Sequence, residues 1–107
     1  GSGTAPTVDV TSATDELVVD IVGWNSGPNT GGTTPGAGQT LRKRQPNAAD
    51  GISMQNGASD EAGAATVTMS WTIESAGGGW VIMGIPLKPV AAAAVAAYRR
   101  MLRGIGA

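Results

Sequence analysis

No cysteine and no histidine occur anywhere in this sequence. Disulfides, thiolate nucleophiles and Cys- or His-ligated metal sites are excluded within the chain, as are Ser-His-Asp and Cys-His catalytic arrangements. Phenylalanine is also absent, tyrosine occurs once and tryptophan three times, while 17 of the 107 residues are glycine. Large aromatics bury the most area per residue, and glycine adds backbone entropy cost without side-chain area. The core must be assembled from Val, Ile, Leu, Met and the three Trp, over a length that suits one domain. A surface on another molecule would ease that shortage. No run of 18 apolar residues exists, so no membrane-spanning helix is expected. Charged residues make up only 14% and the net charge is −1. That balance gives no global field to attract nucleic acid or an anionic membrane. The chain opens Gly1-Ser2-Gly3 without Met, the form of a processed, trimmed or tagged product.

What is present reads mainly as strand. Thr7 to Thr11 alternates with Val8 and Val10 on one face. From Glu16 to Trp24, Leu17, Val19 and Ile21 point one way, and Val18, Val22 and Trp24 the other. So continuous an apolar run predicts a central strand buried on both faces. Residues 25–39 read as a long loop of turn formers, of the kind that is functional or ordered by a neighbour. Thr40 to Gln45 fits a polar strand ended by Pro46 and the 47–51 turn, Gly51 to Gln55 a short strand, and Asn56 to Gly63 another loop. Ala65 to Ile73 has the cleanest alternation, with Val67, Met69, Trp71 and Ile73 against Thr66, Thr68, Ser70 and Thr72. A glycine-rich turn at 74–79 leads to a strongly apolar last strand, Trp80 to Leu87, with Pro86 and Pro89 at its end. The grammar then changes. Ala91 to Leu102 predicts a short amphipathic helix with Val95, Tyr98, Met101 and Leu102 on one side, arginines in its last turns and Gly104 as a C-terminal stop. Residues 1–90 are thus expected to form a β-sandwich domain, and 91–107 a helical tail.

Little of this points to chemistry. No GxxxxGKS/T phosphate loop is present, and Gly31-Gly32 and Gly77-Gly78-Gly79 lack the strand–loop–helix setting of a phosphate cradle. Paired carboxylates hydrolyse glycosides, but Asp9, Asp15, Glu16, Asp50, Asp60, Glu61 and Glu74 fall mostly in turns. Asp20 alone interrupts a strongly apolar strand, where a carboxylate is costly unless paired; an edge position or a salt bridge to Arg42 or Arg44 is the plain expectation. No catalytic residue, metal site or cofactor site is assigned. Calcium, at Asp60-Glu61 or Asp15-Glu16, is the cofactor the composition best tolerates, although neither pair has the spacing of a calcium loop. Trp71 reads as core, and Trp24 and Trp80, at strand ends, as caps on an open end of the sandwich or platforms for stacking on a sugar. Arg42-Lys43-Arg44 suits an edge strand guarded by charge. The helix is the segment that needs a surface, since about a dozen isolated residues are marginal in water. Val95, Tyr98, Met101 and Leu102 are therefore the expected partner contacts.

Taken together, residues 7–13, Leu17-Val18-Val19-Asp20, Gly38-Gln39-Thr40, residues 64–72 and Trp80 to Leu87-Lys88-Pro89 resemble the C-terminal half of a concanavalin-A-like or jelly-roll β-sandwich module of bacterial secreted and phage structural proteins. The resemblance covers roughly residues 4–90 and is structural in its motifs. It implies attachment, decoration or carbohydrate contact, not turnover. It also implies strands or faces completed by another chain or copy. The expectation is a mainly β protein, an antiparallel sandwich of about six strands with a short C-terminal helix. It is expected to act without catalysis in a multi-copy extracellular or virion assembly, as a homo-oligomer or beside other virion or surface subunits. A carbohydrate-binding or adhesive module using Trp24 and Trp80, with glycans as partners, is the alternative.

Overall fold

The alternation of residues 65–73 forms the strand it predicts, and the other elements assemble around it. The computed structural model describes residues 1–25, 33–45, 54–73 and 79–105. In order, these form β1 (Thr7–Thr11), β2 (Leu17–Asn25), β3 (Thr34–Pro35), β4 (Thr40–Gln45), β5 (Met54–Ala62), β6 (Thr66–Thr72), β7 (Trp80–Leu87) and α1 (Ala92–Ile105). The strands make two antiparallel sheets, ordered β1-β6-β3 and β4-β5-β2-β7. The protein is a mainly β, two-sheet structure with one C-terminal helix, as its patterning indicates.

β2 is interior, pairing β5 from Leu17↔Ala62 to Asn25↔Met54 and β7 from Leu17↔Leu87 to Trp24↔Trp80. Between the sheets lie two apolar clusters. Val10, Val18, Val67 and Met69 form one, and Val22, Trp24, Trp71 and Ile73 the other. These side chains come from the inward positions of β1, β2 and β6 and, for Ile73, from the residue that follows β6 in the same phase. The corner from β1 to β2 is closed by Ser12, whose Oγ donates to the Ala64 carbonyl at 2.7 Å and accepts from the Ala64 amide at 3.1 Å.

Four expectations need correction. Asn56 to Gly63 is not a loop: residues 54–62 are β5, which pairs on both sides. Its inward residues Gln55, Gly57 and Ser59 are polar or lack a side chain, so hydropathy hides the strand. The segment after residue 32 contributes β3, which pairs β6 at Thr34↔Thr72 and Pro35↔Trp71. The helix runs past Gly104 to Ile105 instead of stopping there. Finally, β2 is buried on one face only. Leu17 and Ile21 on its other face are exposed, Ile21 at 57%. Residues 26–32 of the 25–39 loop, the 47–51 turn with the start of the 51–55 strand, and most of the 74–79 turn lie outside the described residues, as do Asp50 and Glu74.

The glycine that disguises β5 has a packing cause. A Cβ on Gly57 would come within 2.7 Å of the Trp71 ring, so this residue must leave space for the indole. Gly57→Ala is expected to lower stability in urea unfolding by about 1–3 kcal/mol through overpacking. Gly23→Ala, whose added methyl meets nothing closer than 3.7 Å, serves as the tolerated comparison.

Candidate functional site

The buried polar centre involves Asp20, 2% exposed on the inward face of β2. Its Oδ1 accepts hydrogen bonds from the Ser59 amide at 2.9 Å and the Ser59 hydroxyl at 2.7 Å. Its Oδ2 accepts from the Trp71 indole N–H at 2.7 Å and, more weakly, from Gln39 Nε2 at 3.4 Å. Gln39 also donates to Ser59 Oγ at 2.6 Å and accepts from the Ser70 amide at 2.8 Å, tying this centre to the backbone of β6. The expectation of an edge carboxylate or an arginine salt bridge is therefore wrong. Asp20 lies in an interior strand and is satisfied by neutral donors from β5, β6 and the residue preceding β4. A buried carboxylate tolerates such a place when several donors converge on it. The donors hold both of its oxygens inside the core, so the group serves packing.

The expected arginine partners are engaged elsewhere. Leu41 to Lys43 carries a register shift that places Arg42 out of simple alternation. Arg42 grips Asp60 with two donors, Nε to Oδ2 and Nη2 to Oδ1, the latter at 3.0 Å. That hydrogen bonding, reinforced by the attraction between the charges, raises the Arg42 guanidinium pKa above its ordinary value. Arg44 donates to the Thr33 carbonyl at 2.6 Å. β4 is an edge strand, as its charge suggests. Of the two acidic pairs considered for calcium, Asp60 faces Arg42, and Glu16 accepts from the Ala13 amide at 3.1 Å and lies 3.9 Å from the Lys88 ammonium. Among the described residues no three acidic side chains converge.

Trp71 is 2% exposed in the core, and the other two tryptophans differ in burial. Trp24 is 2% exposed within the second core cluster, so its ring has no face open to a sugar. It faced inward with Val18 and Val22 in the β2 alternation, which was the signal for this. Trp80 is half-buried against the same cluster, and its backbone pairs with Gly1. The two are neighbours across β2 and β7.

The exposed apolar surface is elsewhere. The outer face of the four-stranded sheet presents Leu17 and Ile21 on β2 beside Val81, Met83, Ile85 and Leu87 on β7, all exposed. Their register sets Leu17 opposite Leu87, Ile21 opposite Met83, and Val19 opposite Ile85, in one continuous band. β7 is also an edge. The second such surface is α1. It buries no residue, and Val95, Tyr98, Met101, Leu102 and Ile105 are all exposed. At about 100° per residue these five fall within an arc of roughly 120°, with Arg99 on its flank and Arg103 and Arg100 towards the opposite face. No helix of the described structure is long and apolar enough to cross a membrane.

Comparison with protein-family models, curated proteins and solved structures finds no match to this chain. The concanavalin-A-like or jelly-roll resemblance therefore rests on the strand pattern alone.

Asp20→Ala would leave the Ser59 amide, the Ser59 hydroxyl and the Trp71 indole without their acceptor. It is expected to cost about 3 kcal/mol or more in denaturant unfolding. Asp9→Ala, which removes an exposed bond from Thr68 Oγ1 to Asp9, should stay within about 1 kcal/mol.

Proposed function

We propose that this chain is a non-enzymatic structural module of a multi-copy assembly that contacts its neighbours through α1 and the sheet edges. The observation that carries the reading is the helix itself. Fourteen residues form an amphipathic stripe of which none is buried, whereas an isolated helix of this length is marginal in water. Val95, Tyr98, Met101 and Leu102 need cover, and their own sheet does not supply it.

Two further facts support a structural role over turnover. Histidine and cysteine are lacking, and the carboxylate that interrupts an apolar strand is committed to core hydrogen bonds. The extracellular or virion setting belongs to this proposal and comes from the resemblance of the strands to secreted and phage structural modules. A carbohydrate-binding role would require an open aromatic ring, and the burial of Trp24 weighs against it.

The test is the solution mass by light scattering, for the full chain and for a version ending at Val90. A multimeric full chain and a monomeric, folded shorter chain are the expected pair of results. Two well-folded monomers would sink the proposal.

A further inference from the structure

We infer that α1 of one copy lies on the apolar outer face of β2 and β7 of a second copy, and that the exchange is reciprocal. The inference rests on the assembly reading and adds the counter-surface. Three observations converge on it.

The first is a mismatch between pattern and burial. β2 and β7 are apolar on both faces, the composition of strands covered on both sides, yet the chain covers only one. Ile21 and Met83, paired across the two strands, remain 57% and 58% exposed at the centre of the band. Singly exposed apolar residues are ordinary, but a continuous band of this kind marks a contact.

The second is size. α1 has 14 residues, about 21 Å at 1.5 Å per residue, and the eight residues of β7 span about 26 Å. The helix can therefore lie along the band without overhang. A two-fold axis would bring two such contacts together in one isologous interface, as specific stable interfaces of roughly 1,200–2,000 Å² require more than a single short helix on one sheet.

The third is charge. α1 carries Arg99, Arg100 and Arg103 with no acidic residue, while the remainder of the chain has four basic residues against eight acidic. The helix is +3 and the body −4, so one copy's tail is drawn to another copy's body. Asp15, exposed, lies two residues before Leu17, near the Leu17–Leu87 end of the band, where Glu16 is already engaged by Lys88. In contrast, the helix is held off its own sheet. It follows β7 through residues 88–91, where Pro89 favours extended backbone at Lys88, and the chain reaches 61 Å in its longest dimension.

The chain's lack of cysteine permits a direct test. Two exposed single variants, Met83→Cys and Tyr98→Cys, are mixed in equal amounts at micromolar concentration and mildly oxidised. Docking raises the local thiol concentration towards the millimolar range, so the mixed disulfide should exceed that of a Thr68→Cys and Tyr98→Cys control pair by about tenfold or more. Thr68 lies on the opposite, hydroxyl-bearing surface, and circular dichroism verifies that each variant is folded. A multimeric chain with no such excess would overturn this docking while leaving the assembly reading in place. A monomeric full chain would remove both. In a chain carrying both Met83→Cys and Tyr98→Cys, a disulfide closed within one monomer would show that the helix covers its own sheet, and the inference would fail. It would fail equally if the chain co-sedimented with phosphatidylglycerol vesicles and formed no mixed disulfide.

Discussion

The sandwich depends on the hydrogen bonds converging on the Asp20 carboxylate. One oxygen is held by Ser59 of the neighbouring strand in the same sheet, the other by the Trp71 indole reaching across from the opposite sheet. Gln39 closes the circuit by bonding Ser59 and the backbone of β6. A carboxylate in the core is strongly unfavourable unless its donors are in place. Any slip of β2 against β5, or of one sheet over the other, would leave that charge unmet. The same few bonds set register within a sheet and registration between sheets.

The composition explains why such a device is useful here. Without phenylalanine and with many glycines, the two apolar clusters on either side of this centre are small. Val, Met and Trp side chains supply burial with limited shape specificity, since loosely specified apolar packing gives a fold before it gives a unique one. Trp71 links the two kinds of interaction. Its ring fills the space left by Gly57, while its N–H completes the Asp20 shell. The thin core also accounts for the outer surface: apolar residues not used between the sheets remain on β2, β7 and α1, where a second molecule has room to use them.

Periodicity in the sequence determined the approximate positions of five strands, β1, β2, β4, β6 and β7, the interior place of β2, the inward direction of Trp71 and the existence of an amphipathic C-terminal helix. Those features follow from local spacing, because a period of two or of 3.6 assigns side chains to faces before any tertiary contact exists. β5 was illegible for the opposite reason: Gln55, Gly57 and Ser59 are inward because Trp71 and Asp20, distant in sequence, need space and donors there. The role of Asp20 was likewise hidden, since strand patterning reveals an interrupted apolar run and not which neutral groups will surround it. Tertiary structure alone decided that the outer band of β2 and β7 is left open. Spacing states which residues share a face; whether that face is covered depends on which remote segments the fold brings against it.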